Sequence, residues 1–414
     1  MKAMENRERG SAGQPQGAAM KKGWQTKNLG DLCEIELGKT PARANASFWD
    51  EKRETSNVWL SIADLLKAED NVVVDSKEYV SDKGAAICKL VPKGTLLVSF
   101  KLTLGRLAFA GRDLFTNEAI AALTIFNERE LSKEFLFYCL TFFDWVKAAE
   151  NDVKLKGMTL NKAKLKVMPV SFPPLAEQQR IVGLLDEAFE GLATAKANAE
   201  KNLQNARALF ESHLQSVFTQ RGPGWVEKTL GDVIEIVGGS QPPKSVFSKA
   251  KKADNIRLIQ IRDYKSDKHV VFIPRAQARR FCNADDVMIG RYGPPLFQIL
   301  RGIEGAYNVA LMKAVPDEAK LSRDFLFYFL KHSAILQYVI YHSSRAAGQI
   351  GVTKETLEPY PIALPSLAVQ KTVVENIQEL DTETQRLAHL YEQKLAALEA
   401  LKKSLLHQAF TGEL

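Results

Sequence analysis

Few side chains in this sequence stand where covalent chemistry would need them. Glu318 and Lys320 form an E-x-K triplet of the kind found in metal-dependent nucleases. That chemistry needs a second carboxylate from an earlier strand, and residues 316–320 read as a polar loop ahead of a helix. The six histidines are scattered; His213, His389 and His407 fall in long helical stretches with no second ligand at helical spacing. Cys33, Cys88, Cys139 and Cys282 form no C-x-x-C pair and have no His at ligand spacing, so neither a disulfide framework nor a zinc site is expected, and a reducing cytoplasm is. The phosphate loop G-x-x-x-x-G-K-[ST], the zinc motif H-E-x-x-H and the nucleophile elbow G-x-S-x-G do not occur. Gly293-Pro294-Pro295-Leu296 is not the N-P-P-[YF] with which amino-methyltransferases hold a flipped base. The expectation is a chain with no catalytic group, metal or cofactor of its own.

Charge offers more. Residues 240–301 carry 13 Lys and Arg against five acids, and Lys154, Lys156, Lys162, Lys164 and Lys166 cluster in the first half. Dense unopposed cations suit phosphates, although a solvated face is the ordinary alternative for either patch alone. Over all 414 residues, 56 basic side chains face 49 acidic ones, a net +7 that permits a polyanionic partner without demanding one. Hydrophobic content of 45% with 25% charged residues excludes wholesale disorder and collagen. The densest apolar run, 135–143, is far short of a membrane span, and residues 1–22 lack the apolar region of a secretory signal.

A repeat organises these residues. Trp24, Leu29, Gly30, Asp31, Glu34, Ile35, Gly38 and Pro41 are matched 201 positions later by Trp225, Leu230, Gly231, Asp232, Glu235, Ile236, Gly239 and Pro242. Segment 131–138 (L-S-K-E-F-L-F-Y) matches 321–328 (L-S-R-D-F-L-F-Y). Segment 169–178 matches 361–370, and Leu214, Phe218 and Thr219 match Leu406, Phe410 and Thr411. Two copies whose edges agree and whose middles diverge fill the chain. Each copy opens with short β-type runs, at 71–74 and 95–100 and again at 257–261 and 286–290. A short amphipathic helix follows, at 135–148 and 325–341, then a Pro-rich strand and a long helix.

The first long helix is predicted over 176–220, uninterrupted by proline. Val182, Leu185, Phe189, Leu192, Ala199, Leu203, Ala206, Phe210 and Val217 follow a 3–4 spacing; Ile377, Leu380, Leu387, Tyr391, Leu398, Leu401 and Leu405 repeat it in the second helix. At ~1.5 Å per residue each helix is roughly 65 Å long. The economical arrangement is an antiparallel coiled coil within the chain; the alternative packs each helix only on its own domain.

The repeated W-x-x-x-x-L-G-D-x-x-E-I opening, the P-x-P-P-L-A-E-Q-Q-R-I-V exit and the ending L-L-H-Q-A-F-T-G-E-L resemble the specificity subunit of type I DNA restriction–modification systems. The resemblance covers about 21–414; the second exit departs from it at Val369 and Lys371. It implies an α/β fold of α+β type. A flexible extension (1–22) would precede a target recognition domain (23–172) and a spacer helix (173–221). A second target recognition domain (222–364) and spacer helix (365–414) would follow, as an internal pseudo-two-fold duplication. Each domain would read one half of a bipartite site in double-stranded DNA. The helices would set the gap and dock two methyltransferase (modification) subunits, with restriction/translocase subunits completing the complex. S-adenosylmethionine, ATP and Mg would belong to those partners. DNA would be approached by loops that carry Lys101, Arg106, Lys154, Lys156 and Lys162 in the first copy, and Arg291, Tyr292, Gln298, Arg301, Arg345, Gln349 and Lys354 in the second. Apolar residues outside the seam, Ile181, Leu184, Leu209, Leu390, Leu395 and Leu406, are the expected docking surface. Residues 1–20, rich in glycine and poor in large apolar side chains, are expected to be disordered, with Met20 a possible natural start. The rivals are a coiled-coil scaffold without DNA and a nuclease using Glu318 and Lys320.

Lengthening the helices tests the ruler. Four residues inserted near Ala195 and again near Leu387 add about one turn, ~6 Å of rise, against ~3.4 Å per base pair. Sequencing the methylated sites of this variant should show the gap widened by about one or two base pairs with both half-sites unchanged; an unchanged gap would mean that the helices are not the ruler.

Overall fold

The computed structural model describes residues 23–150, 153, 154, 157–220, 222–343 and 351–414. The expectation for the first 20 residues lies outside the described residues, as do Lys156, Arg345 and Gln349. The chain forms two compact units, Met1–Ala197 with Ala396–Leu414, and Asn198–Leu395. Each unit thus holds one β-rich domain together with part of both long helices.

The core sheet of the first unit places Cys33–Leu37 against Ile120–Ile125 (Ile35 opposite Leu123), then Leu96–Ser99, Leu107–Ala110 and the short Val72–Val73. A second, three-stranded sheet is built on Val58–Leu60. In the second unit Ile234–Gly238 lies against Leu311–Pro316 (Ile236 opposite Ala314), followed by Val287–Gly290 and Gln298–Leu300. Its second sheet orders Phe272–Pro274, Asn255–Ile259, Gly305–Tyr307 and Phe281–Cys282. The repeated residues are the frame of both. Trp24 packs edge-on against Phe135, and Trp225 packs at a tilt against Phe325, each with ring centres 6.2 Å apart. Gly38 and Gly239 end the first core strand so close to a neighbouring backbone that a Cβ would lie 2.2 Å from the Asn117 carbonyl oxygen or 1.9 Å from that of Asn308. Only glycine fits there.

The opening and exit strands of each copy pair with each other: Gln25–Asn28 with Pro169–Phe172, and Val226–Thr229 with Pro361–Leu364. The long helices follow at once, over Leu175–Thr219 and Leu367–Thr411. A buried glutamine near the start of each helix locks this junction. The Gln178 side chain accepts from the Ser132 amide (2.9 Å) and donates to the carbonyls of Glu130 and Pro173 (both 2.8 Å). Gln370 does the same with the Ser322 amide (2.9 Å) and the carbonyls of Lys320 (2.7 Å) and Pro365 (3.0 Å).

Within the first unit the helices run antiparallel, with Arg180 bonded to the Leu414 carbonyl (3.0 Å) and Lys196 paired with Glu399 (2.9 Å). Within the second, Arg207 pairs with Glu392 (2.8 Å), and Leu214 and Ile377 share one core. The antiparallel pairing therefore holds within each unit, and the alternative of each helix packing only on its own domain does not, since each helix also packs on a domain while paired. The domain that precedes one helix takes the end of the other: Phe410 lies 5.4 Å from Phe135, and Phe218 lies 5.3 Å from Phe325.

Several expectations need correction. The helix predicted over 135–148 is two, Lys133–Phe142 and Trp145–Ala148, with Phe143 extended between them. The one over 325–341 is likewise broken at His332 into Arg323–Lys331 and Ser333–Ser343. Apolar periodicity cannot register so short an extended link. The strand predicted over 257–261 runs instead over Asn255–Ile259, because Asp263 accepts the Gln260 amide (3.0 Å) and turns the chain into a 3-10 segment. Of the apolar residues set aside for docking, Ile181 and Leu406 are buried in the first unit's core and Leu395 is half-buried, whereas Leu184, Leu209 and Leu390 are 41–52% exposed. Leu401, assigned to the seam, is 48% exposed. The Lys196–Glu399 pair also puts a residue near Ala400, not Leu387, opposite Ala195, so an insertion that keeps facing residues together belongs there.

Gln178→Leu leaves a buried amide and two carbonyls without their partner, which should cost the first unit about 3 kcal/mol. Hydrogen exchange should report the loss in that unit alone, and Gln370→Leu should transfer it to the second.

Candidate nucleic-acid interface

In the first unit the loop between Leu96–Ser99 and Leu107–Ala110 is shaped from within. The Ser99 hydroxyl accepts the Arg106 amide (2.9 Å) and donates to the Thr103 carbonyl. Gly105 has φ +72°, and a Cβ there would lie 2.4 Å from the Trp145 ring. This tight turn leaves the Arg106 side chain exposed, without an ion pair or side-chain hydrogen bond among the described residues. Lys101 is half-buried, its ammonium 5.2 Å from the Phe100 ring centre, and its backbone bridges Thr159. Beyond Thr159, Asn161 caps the short helix Lys162–Lys166 by accepting the Lys164 amide (2.9 Å), and Lys162 is exposed. Lys154 lies in a two-residue strand, Val153–Lys154, paired with Gly157–Met158. The structure thus brings Lys101, the hairpin carrying Lys154, and Lys162 to one edge of the domain.

The second unit repeats the plan with different chemistry. The Arg291 guanidinium donates to the carbonyls of Val352 (3.1 Å) and Val309 (3.4 Å), and the Val352 amide donates to the Arg291 carbonyl (2.9 Å). Tyr292 is half-buried beside Gly351, where a Cβ would come within 2.6 Å of its ring. Gln298 donates to the Pro295 carbonyl (3.0 Å). Arg301 pairs with Asp324 (2.5 Å) and lies 4.0 Å from the Phe327 ring centre. Lys354, exposed at the start of Lys354–Leu357, pairs with Glu358 (3.3 Å). Arg291, Gln298 and Arg301 therefore brace their own domain, while Arg106 and Lys162 project from theirs.

The exposed cations of the second sheet, Lys251, Arg275, Arg279 and Arg280, are not among the residues that sequence reasoning assigns to the DNA-facing loops. Their only signal in the sequence is the local charge excess. The two arginines of that stretch assigned to its loops, Arg291 and Arg301, are the ones the structure holds with carbonyls and a carboxylate.

The E-x-K pair and the buried cysteines are engaged in other ways. Glu318 pairs with Arg323 and Lys320 with Asp317, both at 2.7 Å, in a loop between a strand and a helix. Burial pushes the thiols of Cys33 and Cys139 up to about 12 and that of Cys282 up to about 11, so none is a thiolate near neutral pH. Among the described residues no group of three His, Cys, Asp or Glu is placed to hold a metal ion, and no helix is long and apolar enough to cross a membrane.

The model of the type I restriction modification DNA specificity domain matches residues 21–203 and again residues 223–399. The chain is 24% identical over 296 residues to the type I restriction enzyme MjaIX specificity subunit of Methanocaldococcus jannaschii, which covers 61% of this chain and 66% of that one. It is 21% identical over 339 residues to the EcoBI specificity subunit of Escherichia coli, covering 72% and 69%. Among solved structures, a chain from a study of complex assembly and conformational transition in the type I R-M system shares its fold with a TM-score of 0.75 at 20% identity, over 96% of this chain and all of the other. The HsdS subunit of Thermoanaerobacter tengcongensis does so with a TM-score of 0.57 at 20% identity, over 95% and 98%.

The contrast between loops is measurable on the protein alone. Arg291→Ala removes two hydrogen bonds to carbonyls and should cost the second unit about 2 kcal/mol, whereas Arg106→Ala should leave stability within about 0.5 kcal/mol of the parent. Denaturant titration of both variants checks this.

Proposed function

This chain belongs to the type I restriction–modification DNA specificity family, and from that membership we propose that it is the sequence-reading subunit of a restriction–modification complex. Each unit reads one half of a bipartite site in double-stranded DNA. The observation that carries this reading is one frame built twice around unlike loops. Trp24, Gly38 and Gln178 recur as Trp225, Gly239 and Gln370, while the loop with free Arg106 is answered by one with braced Arg291. Two different half-sites on one scaffold call for that combination, since side chains at base edges specify and phosphate contacts position.

In this reading the chain supplies no catalytic group. Its long helices set the gap between half-sites, and the exposed Leu184, Leu209, Leu390 and Leu401 are where two methyltransferase subunits dock. Those partners bring S-adenosylmethionine for adenine methylation, and restriction subunits bring ATP and Mg, all in the cytoplasm.

Co-expression with the methyltransferase subunits in a host free of adenine methylation should yield one asymmetric, interrupted methylated motif on sequencing. Arg106→Ala should relax or weaken one half of that motif and leave the other intact. A complex that forms but leaves no methylated motif, or a motif in which one substitution alters both halves, would overturn the reading.

A further inference from the structure

We propose that the second unit grips the DNA backbone through a basic cleft on its second sheet, a phosphate-holding site with a larger cation excess than the corresponding stretch of the first unit carries. The proposal rests on the DNA-reading role above and divides the labour between the units: both read sequence, but one supplies most of the sequence-independent hold.

The cleft, about 750 Å³, is bounded by Asn255–Ile259, Phe272–Pro274 and Phe281–Cys282. Lys251, Arg257 and Arg275 contribute cations to its lining, and Asn255 and Asn283 contribute amides. The Arg275 guanidinium lies 5.5 Å from the centre of the Phe281 ring, which is itself 41% exposed. Asp267 and Glu304 also line the cleft, but Asp267 is already paired with Arg257 (2.8 Å). The Arg257 Nε is buried without a hydrogen-bond partner. Lys251, Arg275 and the neighbouring Lys252, Lys268, Arg279 and Arg280 are exposed and make no ion pair among the described residues. Of the five acids that the sequence sets against them, two are engaged elsewhere, Asp285 with Arg323 (2.6 Å) and Asp286 with Lys313 (3.2 Å) and Arg323 (3.4 Å), while Asp263 (3.9 Å) and Asp267 face Arg257. The six exposed cations thus keep a net positive field on this sheet.

The corresponding stretch of the first unit, residues 39–111, carries 11 cations and nine acids. Three of these cations are paired, Arg43 with Glu78, Lys67 with Asp64 and Lys89 with Glu36, and the remaining acids nearly balance the others. Unopposed, solvated cations exchange condensed counterions for phosphates, which makes binding steeply salt-dependent and blind to sequence. Cations balanced by nearby acids have far less to give.

The test compares two triple variants of the full chain, in complex with its methyltransferase subunits, on a duplex that contains the methylated motif and on an unrelated duplex of equal length. Lys251→Gln, Arg275→Gln and Arg279→Gln together should lower the slope of log K against log salt by about 2 to 3 on both duplexes, at ~0.9 for each phosphate no longer neutralised, with the methylated motif unchanged. Lys52→Gln, Lys77→Gln and Lys83→Gln, also exposed and without an ion pair among the described residues, should lower it by less than about 1. Equal effects from the two triples, no effect from the first, or a first triple that alters the motif would overturn the cleft while leaving the DNA-reading role in place. A parent complex that does not prefer its duplex over the unrelated one would remove that role, and the cleft with it.

Discussion

Two buried glutamines hold the junctions on which this architecture depends. Where each exit strand turns into a long helix, the chain passes through Pro173-Pro174 or through Pro365, and carbonyls of the turn and of the preceding loop are left facing the interior. A primary amide is suited to such a place because it offers donors and an acceptor on one short side chain. Gln178 and Gln370 are both fully buried, and each joins three segments: the loop after the core sheet, the serine that caps the next short helix, and the exit strand. Each glutamine ties the first turn of its helix to the domain that the helix leaves.

The consequence is a frame in which each β-rich domain is completed by both helices. The ends of the helices carry Phe218 and Phe410 into the cores beside Phe325 and Phe135, so neither domain is closed by its own following helix alone. This explains why Ile181 and Leu406 are buried although they stand outside the heptad seam. A helix that packs on two neighbours needs two apolar faces, and periodicity describes them jointly without assigning either.

On that shared frame the loops differ by what they do with their polar groups. Ser99 and Gly105 fold the first loop upon itself and release Arg106 to solvent. The second loop is closed by Arg291, whose guanidinium is consumed by two carbonyls. A protein that reads two unlike half-sites can vary these loops widely, because their supports are backbone contacts and one or two side chains rather than the core.

The duplication, the division into β-rich segments and long helices and the family resemblance were all legible in the amino-acid sequence. Each is a property of residue types at fixed spacing: a glycine that cannot carry a Cβ, a heptad that cannot be a strand, a cation excess that survives counting. Tertiary structure alone decided which charges are free. Arg291, Arg301 and Arg275 are alike in sequence, yet the first two are bound by partners distant in the chain, Val352 and Asp324, while the third is exposed beside Phe281. It also decided that Asp285 and Asp286 answer Arg323 and Lys313 rather than the lysines nearest them. The reason is physical: hydrogen bonds and ion pairs depend on distances of about 3 Å between atoms that folding brings together, and sequence separation does not carry that information.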